Sequence, residues 1–213
     1  MPTMTKMSKL SVREPEIQKA LLQVLIQEEN PDALAIEFPF DFGRRRADAI
    51  CIANNQLSGY EIKSIFDRVD RLPDQIESYK KLFDFVYVVC DKHHYRKINK
   101  LISKSTGIYI FNDGIITKKR SAKNIRNTDI MTTLDAIPMQ QLRIDFKLTA
   151  NSKLELCKKI KDSHSRELIR EKIKNYISNK YAPQTTTFRS EASQVLTLDD
   201  ILSLTLNPQK LTP

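Results

Sequence analysis

Ala47-Asp48-Ala49-Ile50-Cys51-Ile52-Ala53-Asn54-Asn55-Gln56-Leu57-Ser58-Gly59-Tyr60-Glu61-Ile62-Lys63-Ser64 is the stretch that decides the fold. Two strand-like runs flank Asn54-Asn55, and asparagine tolerates positive φ, so the segment reads as a hairpin with a two-residue turn. That turn sets the register and puts Asp48 directly opposite Glu61, with Cβ atoms roughly 5 Å apart. Like charges so placed are destabilising unless something neutralises them. Hard Mg²⁺ or Mn²⁺, which prefers carboxylate oxygen, does so. Alternation along the strands groups Glu61 with Lys63 on one face, turns Tyr60 and Ile62 to the other, and gives Asp48 the face of Ile50 and Ile52. A bare Glu-x-Lys is otherwise a surface salt bridge. Two acids and a lysine buried together without a task are costly.

Outward from the hairpin, the elements follow in an α-β-β-β-α-β-α-β order. Pro15 suits a helix's first turn, and Ile17, Ala20, Leu21, Val24 and Leu25 carry helical periodicity up to Asn30-Pro31. Ala35–Phe40 reads as a short strand. Asp67–Pro73 is a loop, and Pro73 opens a helix to about Phe83. Phe85–Cys90 is a buried strand, Lys92–Lys104 a basic helix, Gly107–Phe111 a strand turning through Asn112-Asp113-Gly114 into Ile115-Ile116-Thr117. Thr117–Thr128 lacks apolar periodicity and reads as a loop. Beyond Asp129 the pattern is helical, with Leu154–Ile160, then Ser165–Tyr181 broken by Pro183-Gln184-Thr185, and a short helix over Leu196–Leu204. The expected organisation is a flexible tail over 1–13, a core over 14–128, and a mainly helical, basic C-terminal region over 129–213 that forms an appendage to the core.

Asp48, then Glu61-Ile62-Lys63 after a hairpin in αβββαβ order, resembles the PD-(D/E)xK nuclease superfamily. Gln75 and Tyr79 on the following helix form a Q-x-x-x-Y spacing similar to that of its RecB-type branch. Gly59-Tyr60-Glu61-Ile62-Lys63-Ser64, with Arg71-Leu72 and Gln75-x-x-x-Tyr79, also resembles a family of mostly uncharacterised bacterial proteins in that superfamily. The upstream histidine ligand common in RecB-type enzymes has no counterpart before His93. The resemblance covers roughly residues 14–117. It implies an α/β, restriction-endonuclease-like core with a mixed sheet flanked by helices.

It also implies metal-dependent hydrolysis of phosphodiester bonds, DNA foremost, with Mg²⁺ or Mn²⁺ as cofactor. Asp48, Glu61 and the Ile62 backbone carbonyl would hold the metal, joined by an acid that is either Glu16 on the first helix or Glu37 on the first strand; Glu14 lies outside the expected helix. Lys63 would position or deprotonate water, or stabilise the phosphate in transit. Gln75 and Tyr79 would hold Lys63 or a phosphate. The alternative is a nuclease-fold protein that binds nucleic acid with little or no catalysis. Asp48, Glu61 and Lys63 together favour the enzyme.

Charge agrees with a polyanionic partner. The 213 residues hold 35 Lys and Arg against 26 Asp and Glu, for a net +9. Lys92–Arg126 holds ten bases and one acid, and Arg143–Arg189 twelve bases and five acids. Arg44, Arg45 and Arg46 beside the hairpin, and Lys158, Lys159, Lys161, Arg170, Lys172 and Lys174 in the C-terminal helices, are the expected nucleic-acid contacts. Formation of a homodimer is the other use of that helical region. His93 and His94 show no acid partner in the pattern and read as surface residues.

Composition narrows the rest. Four glycines and no tryptophan argue against a Gly-rich propeller or a collagen-like repeat. The longest apolar run, Phe85–Cys90, is far short of the about 20 residues of a membrane span. Met1–Glu16 has no apolar core of signal-peptide length, so the chain reads as cytoplasmic. Cys51, Cys90 and Cys157 then read as buried thiols, without zinc-ligand spacing.

Overall fold

A computed structural model of the chain describes residues 13–191 and Leu204. The expected N-terminal tail and the Leu196–Leu204 helix therefore lie outside the described residues, save Arg13 and Leu204.

The hairpin forms in the expected register. Strand β2 (Arg45–Ala53) pairs antiparallel with β3 (Gln56–Lys63), from Ala53 opposite Gln56 to Ala49 opposite Tyr60. Asn54 and Asn55 both sit in the left-handed region, at φ 51° and 58°, as a two-residue turn matched to strand twist requires. Beyond Ala49 the ladder ends, one step before Asp48 and Glu61 would have been locked face to face.

Around this hairpin a six-stranded mixed sheet runs in the order β1 (Ala33–Phe40), β2, β3, β4 (Phe85–Asp91), β5 (Gly107–Asn112), β6 (Ile115–Arg120). The β3–β4 and β4–β5 pairs are parallel and the others antiparallel. Strand β6 reaches Arg120, so the basic segment after Thr117 is not all loop as expected. Only Ile116 and Arg120 on it are partly buried, so it has no apolar face to show as periodicity.

Helices cover both faces. Helix α1 (Arg13–Glu29) packs Ile17, Leu21, Leu22 and Leu25 on Leu34, Ile36, Cys51, Tyr60 and Ile62. The opposite face carries α2 (Leu72–Lys80), α3 (Tyr95–Leu101), α4 (Ile130–Asp135), α5 (Met139–Phe146), α6 (Lys153–Ser163) and α7 (Arg166–Glu191). Residues of α4 to α7, among them Leu134, Phe146, Ile160 and Ile173, share one core with Ile50, Ile52, Val86 and Val88 of the sheet. The C-terminal helices are thus part of the fold's apolar interior rather than an appendage. Cys51, Cys90 and Cys157 are buried free thiols.

Helix α7 runs through Pro183, where the sequence predicted a break. Packing outweighs the lost backbone bond there. Thr185 Oγ1 accepts the N–H of Leu34 at 2.7 Å on edge strand β1, and it also donates to Tyr181 O at 2.8 Å. Thr185, part of the stretch that read as a breaker, thus satisfies a sheet edge.

Alternation breaks on β1 and β2. Ala33 and Ala35 lie in one core and Leu34 and Ile36 in the other, yet Phe38 and Phe40 return to the first. On β2, Ala47 and Ile50 lie in one core and Ala49 in the other. The phase slips at Glu37 and Asp48, which are flanked by the pairs Ile36–Ala49 and Phe38–Ala47. Glu37 sits at φ 54°, an outlier for a strand residue. Asp48 therefore belongs to the point where the strand changes face, not to the face of Ile50 and Ile52.

Candidate active site

Glu61 is the centre of the polar cluster. It is 3% exposed, and its carboxylate takes three side-chain donors. Lys63 Nζ donates to Oε1 at 2.7 Å, Gln75 Nε2 donates to the same oxygen, and Tyr79 OH donates to Oε2 at 2.6 Å. Strand alternation brings Lys63 onto the face of Glu61, and α2 supplies the other two because residues four apart stack along one helix face. Close approach of α2's C-terminal end depends on Gly59, where a Cβ would meet the Phe83 ring at 2.6 Å.

The Tyr79 ring is 1% exposed and packs edge-on against Phe40 at 5.2 Å, so it is at once a core aromatic and a ligand of Glu61. Burial first, then the Glu61 charge, pushes its phenol well above 10.0, which keeps it a donor. Gln75 and Tyr79 were expected to hold Lys63 or a phosphate; the structure has them hold Glu61.

Asp48 does not face Glu61 across a ladder. It turns to accept the Ile62 N–H through Oδ2 at 2.6 Å, and among the described residues its other oxygen takes no hydrogen bond. Burial, followed by the charge of Glu61, raises its pKa well above 3.8, against the lowering pull of the Ile62 N–H and Lys63. Gln18 of α1 donates to the Asp48 carbonyl at 3.2 Å and ties the helix to this point.

Of the acids on α1, it is Glu14 that feels the charges of Glu61 and Lys63, although its side chain is exposed. Helix α1 begins before Pro15, so Glu14 lies inside it. Its pKa is raised by burial and then by Asp67 and Glu37, with Glu61 adding to the rise and Lys63 opposing it. Glu16 lies about 200° further round the helix; both acids are exposed, and neither joins a hydrogen bond or ion pair among the described residues. Glu37 is exposed and pairs with Arg46 at 2.9 Å. The missed signal was the helix's start: Arg13-Glu14 is a regular first turn with Pro15 inside it.

A cleft of about 470 Å³ opens over Lys63 and Gln75, lined by Arg45, Arg68, Asp70 and Arg71. Of the Arg44–Arg46 run, Arg45 borders the cleft, while Arg44 pairs with Asp41 at 2.8 Å and Arg46 with Glu37. Arg68 and Arg71, in the loop before α2, complete the basic rim and escaped the sequence reading, which gave them no role.

The C-terminal cations divide. Arg170 and Lys174 are bound to buried Asp84, Lys174 at 2.8 Å, so they are structural and not free phosphate contacts. Lys172 lies 5.9 Å from the Phe146 ring centroid, and Lys159 pairs with Glu155 at 3.0 Å. Lys158 and Lys161 are exposed on α6. His93 does have an acid partner: Nδ1 lies 2.6 Å from Asp91 Oδ1, a pairing across a 3-10 turn over Lys92–His94 that strand and helix periodicity do not show.

Among the described residues no group of three or more His, Cys, Asp or Glu side chains is placed to hold a metal, and no helix is long and apolar enough to cross a membrane. The donor chemistry at Asp48 and Glu61 suits a hard cation: oxygen ligands and surplus negative charge.

Comparison with known proteins places the chain. The family described as bacteriophage P4 protein cII matches residues 7–205. The chain belongs to that family. Protein cII of Enterobacteria phage P4 is 28% identical over 206 residues, covering 91% of this chain and 78% of that protein. Among solved structures, a protein of unknown function from Silicibacter pomeroyi matches 52% of this chain and 74% of its own, at 16% identity and a TM-score of 0.39.

Proposed function

We propose that the chain is a metal-dependent nuclease of restriction-endonuclease-like fold, hydrolysing phosphodiester bonds in nucleic acid, DNA foremost. The observation that carries the reading is Glu61, buried between Lys63, Gln75 and Tyr79 beside a second, under-neutralised carboxylate, beneath an arginine-rimmed cleft. Asp48, Glu61 and the Ile62 carbonyl would hold Mg²⁺ or Mn²⁺, and Glu14 would add negative charge nearby. Two carboxylates suffice, because Mg²⁺ keeps several waters and takes further oxygens from substrate phosphate. The bound cation would supply Lewis-acid stabilisation of phosphate charge.

The chain's own groups do the rest. Arg45, Arg68 and Arg71 draw and orient the phosphates at the cleft. Lys63, set by its ion pair with Glu61, presents an ammonium to the reacting phosphate and to the incoming water. Tyr79 and Gln75 fix the Glu61 rotamer, so that Lys63 and Glu61 keep their geometry through the reaction.

The test incubates the purified chain with linear, circular and single-stranded DNA and with RNA, in Mg²⁺, Mn²⁺ or EDTA. Cation-dependent cleavage supports the enzyme. Binding without cleavage in any cation rejects it in favour of a binding protein built on the same fold.

A further inference from the structure

Two exposed phenylalanine rings stand on the segments that run into and out of the basic cleft. Phe42 is 44% exposed and Phe66 is 53% exposed. The turn that carries Phe42 leads into Arg45, and the loop that carries Phe66 leaves from Lys63; both Arg45 and Lys63 line the cleft. Each ring is two residues from an arginine. Arg44 places its guanidinium 5.9 Å from the Phe42 ring centroid, and Arg68 joins the cleft wall.

The chain accepts strain to present the first ring. Asp41 and Phe42 lie at φ 52° and 58°, followed by Gly43 at 74°. A bulky residue in the left-handed region is an outlier, and such strain gathers at functional sites. Phe42 N–H donates to Asp135 Oδ2 at 2.6 Å, and Arg44 Nη2 donates to Asp41 Oδ1 at 2.8 Å, so the turn is held while its ring stays outside. Phe42 also walls a cavity of about 420 Å³ with Tyr176, Tyr181 and Lys180. The second loop is pinned by Asp67 Oδ2, which accepts both Ser64 N–H and Ser64 Oγ–H at 2.6 Å.

The exposed half of each ring gains nothing from folding, and a flat π-faced ligand with phosphates fits both rings and cations. We propose that the site takes single-stranded nucleic acid, with bases stacked on Phe66 and Phe42 and phosphates along Arg45, Arg68 and Arg71. A duplex stacks its bases on each other and offers only their edges, whereas any unpaired base has a face to give. The proposal rests on the nuclease reading for the role of Lys63, but binding alone tests it.

The experiment is fluorescence anisotropy of the full chain in EDTA, with labelled oligothymidylate, an abasic strand of equal length and a duplex of equal length. The single strand binds roughly tenfold or more tighter than either, on the scale of one or two stacked bases. Phe66→Ala and Phe42→Ala each weaken oligothymidylate about five- to tenfold, and leave the duplex affinity, the salt slope and the melting temperature unchanged. Equal or tighter duplex binding overturns the proposal, as do silent phenylalanine variants or an abasic strand that binds as well as oligothymidylate. A chain that passes this test but cuts nothing in Mg²⁺ loses the nuclease reading and keeps this one. A chain that cuts duplex but fails it does the reverse.

Discussion

Strand β3 has a buried acidic site at each end, and the two are built oppositely. At its start, Asp84 accepts the Leu57 N–H at 2.9 Å and pairs with both Arg170 and Lys174, two cations for one carboxylate. At its other end Lys63 pairs with Glu61 alone, while burial first and neighbouring carboxylates second raise the pKa values of Asp48 and Glu14. Saturated charge locks helix α7 to the hairpin. Surplus negative charge does the opposite for stability and leaves room for a cation. Asp84 and Glu61 are both buried, so on the proposed nuclease reading it is the ratio of acid to base that separates the structural cluster from the reactive one.

The largest expected effect sharpens this contrast at the surplus end. Asp48→Ala and Glu61→Ala each remove calorimetric Mn²⁺ binding and take cleavage to background. Lys63→Ala keeps the cation and loses turnover by about 10³-fold, on the scale of a lost transition-state charge stabiliser. Unchanged Mn²⁺ affinity in both carboxylate variants would erase the distinction.

At the saturated end, Asp84→Ala strands two partly buried cations and destabilises the fold by about 3 kcal/mol. That is a fall of roughly 6–12 °C in thermal unfolding for a chain of this size. A melting temperature within a degree of wild type would mean that the two ends do not differ.

Tyr79 links the site to the core, and its two groups separate by substitution. Tyr79→Phe keeps the ring against Phe40 and Phe83 and loses the bond to Glu61. It lowers single-turnover rate about tenfold with little change in affinity or melting temperature. Gln75→Ala behaves alike. Tyr79→Ala adds a loss of about 3–5 kcal/mol in stability. A silent Tyr79→Phe would leave the ring with a packing role alone.

A smaller effect is in pH dependence. The folded chain holds the Asp48 proton more tightly than the unfolded one, so stability falls as pH rises from 3.8 through the raised value. Asp48→Asn flattens that fall in urea titrations, and a variant with the wild-type slope would show that Asp48 carries no such strain. Smallest of all, replacing exposed Lys158 and Lys161 by alanine leaves melting unchanged and reduces the salt slope of nucleic-acid binding by about 0.9 for each phosphate that is no longer neutralised.

The hairpin, its register and the grouping of Glu61, Lys63, Gln75 and Tyr79 were legible because each follows from local periodicity and a two-residue turn. Three features were not. The phase slip at Glu37 and Asp48 needs a backbone outlier that no side-chain pattern announces. Glu14 was passed over because the helix was expected to begin only at Pro15, whereas it begins by Arg13. Arg170 and Lys174 read as free charge because their partner, Asp84, lies far away in sequence and sits alone between two apolar stretches. Charge counts locate cations but not their counter-ions.

The most direct measurement of the central claim is single-turnover cleavage of end-labelled linear DNA by the wild-type chain over a range of Mg²⁺ and Mn²⁺ concentrations, beside Glu61→Gln prepared identically. The account predicts cleavage that rises with the cation, stops in EDTA, and is missing from Glu61→Gln at every concentration. No cleavage by wild type in either cation, or equal cleavage by the two proteins, would contradict it.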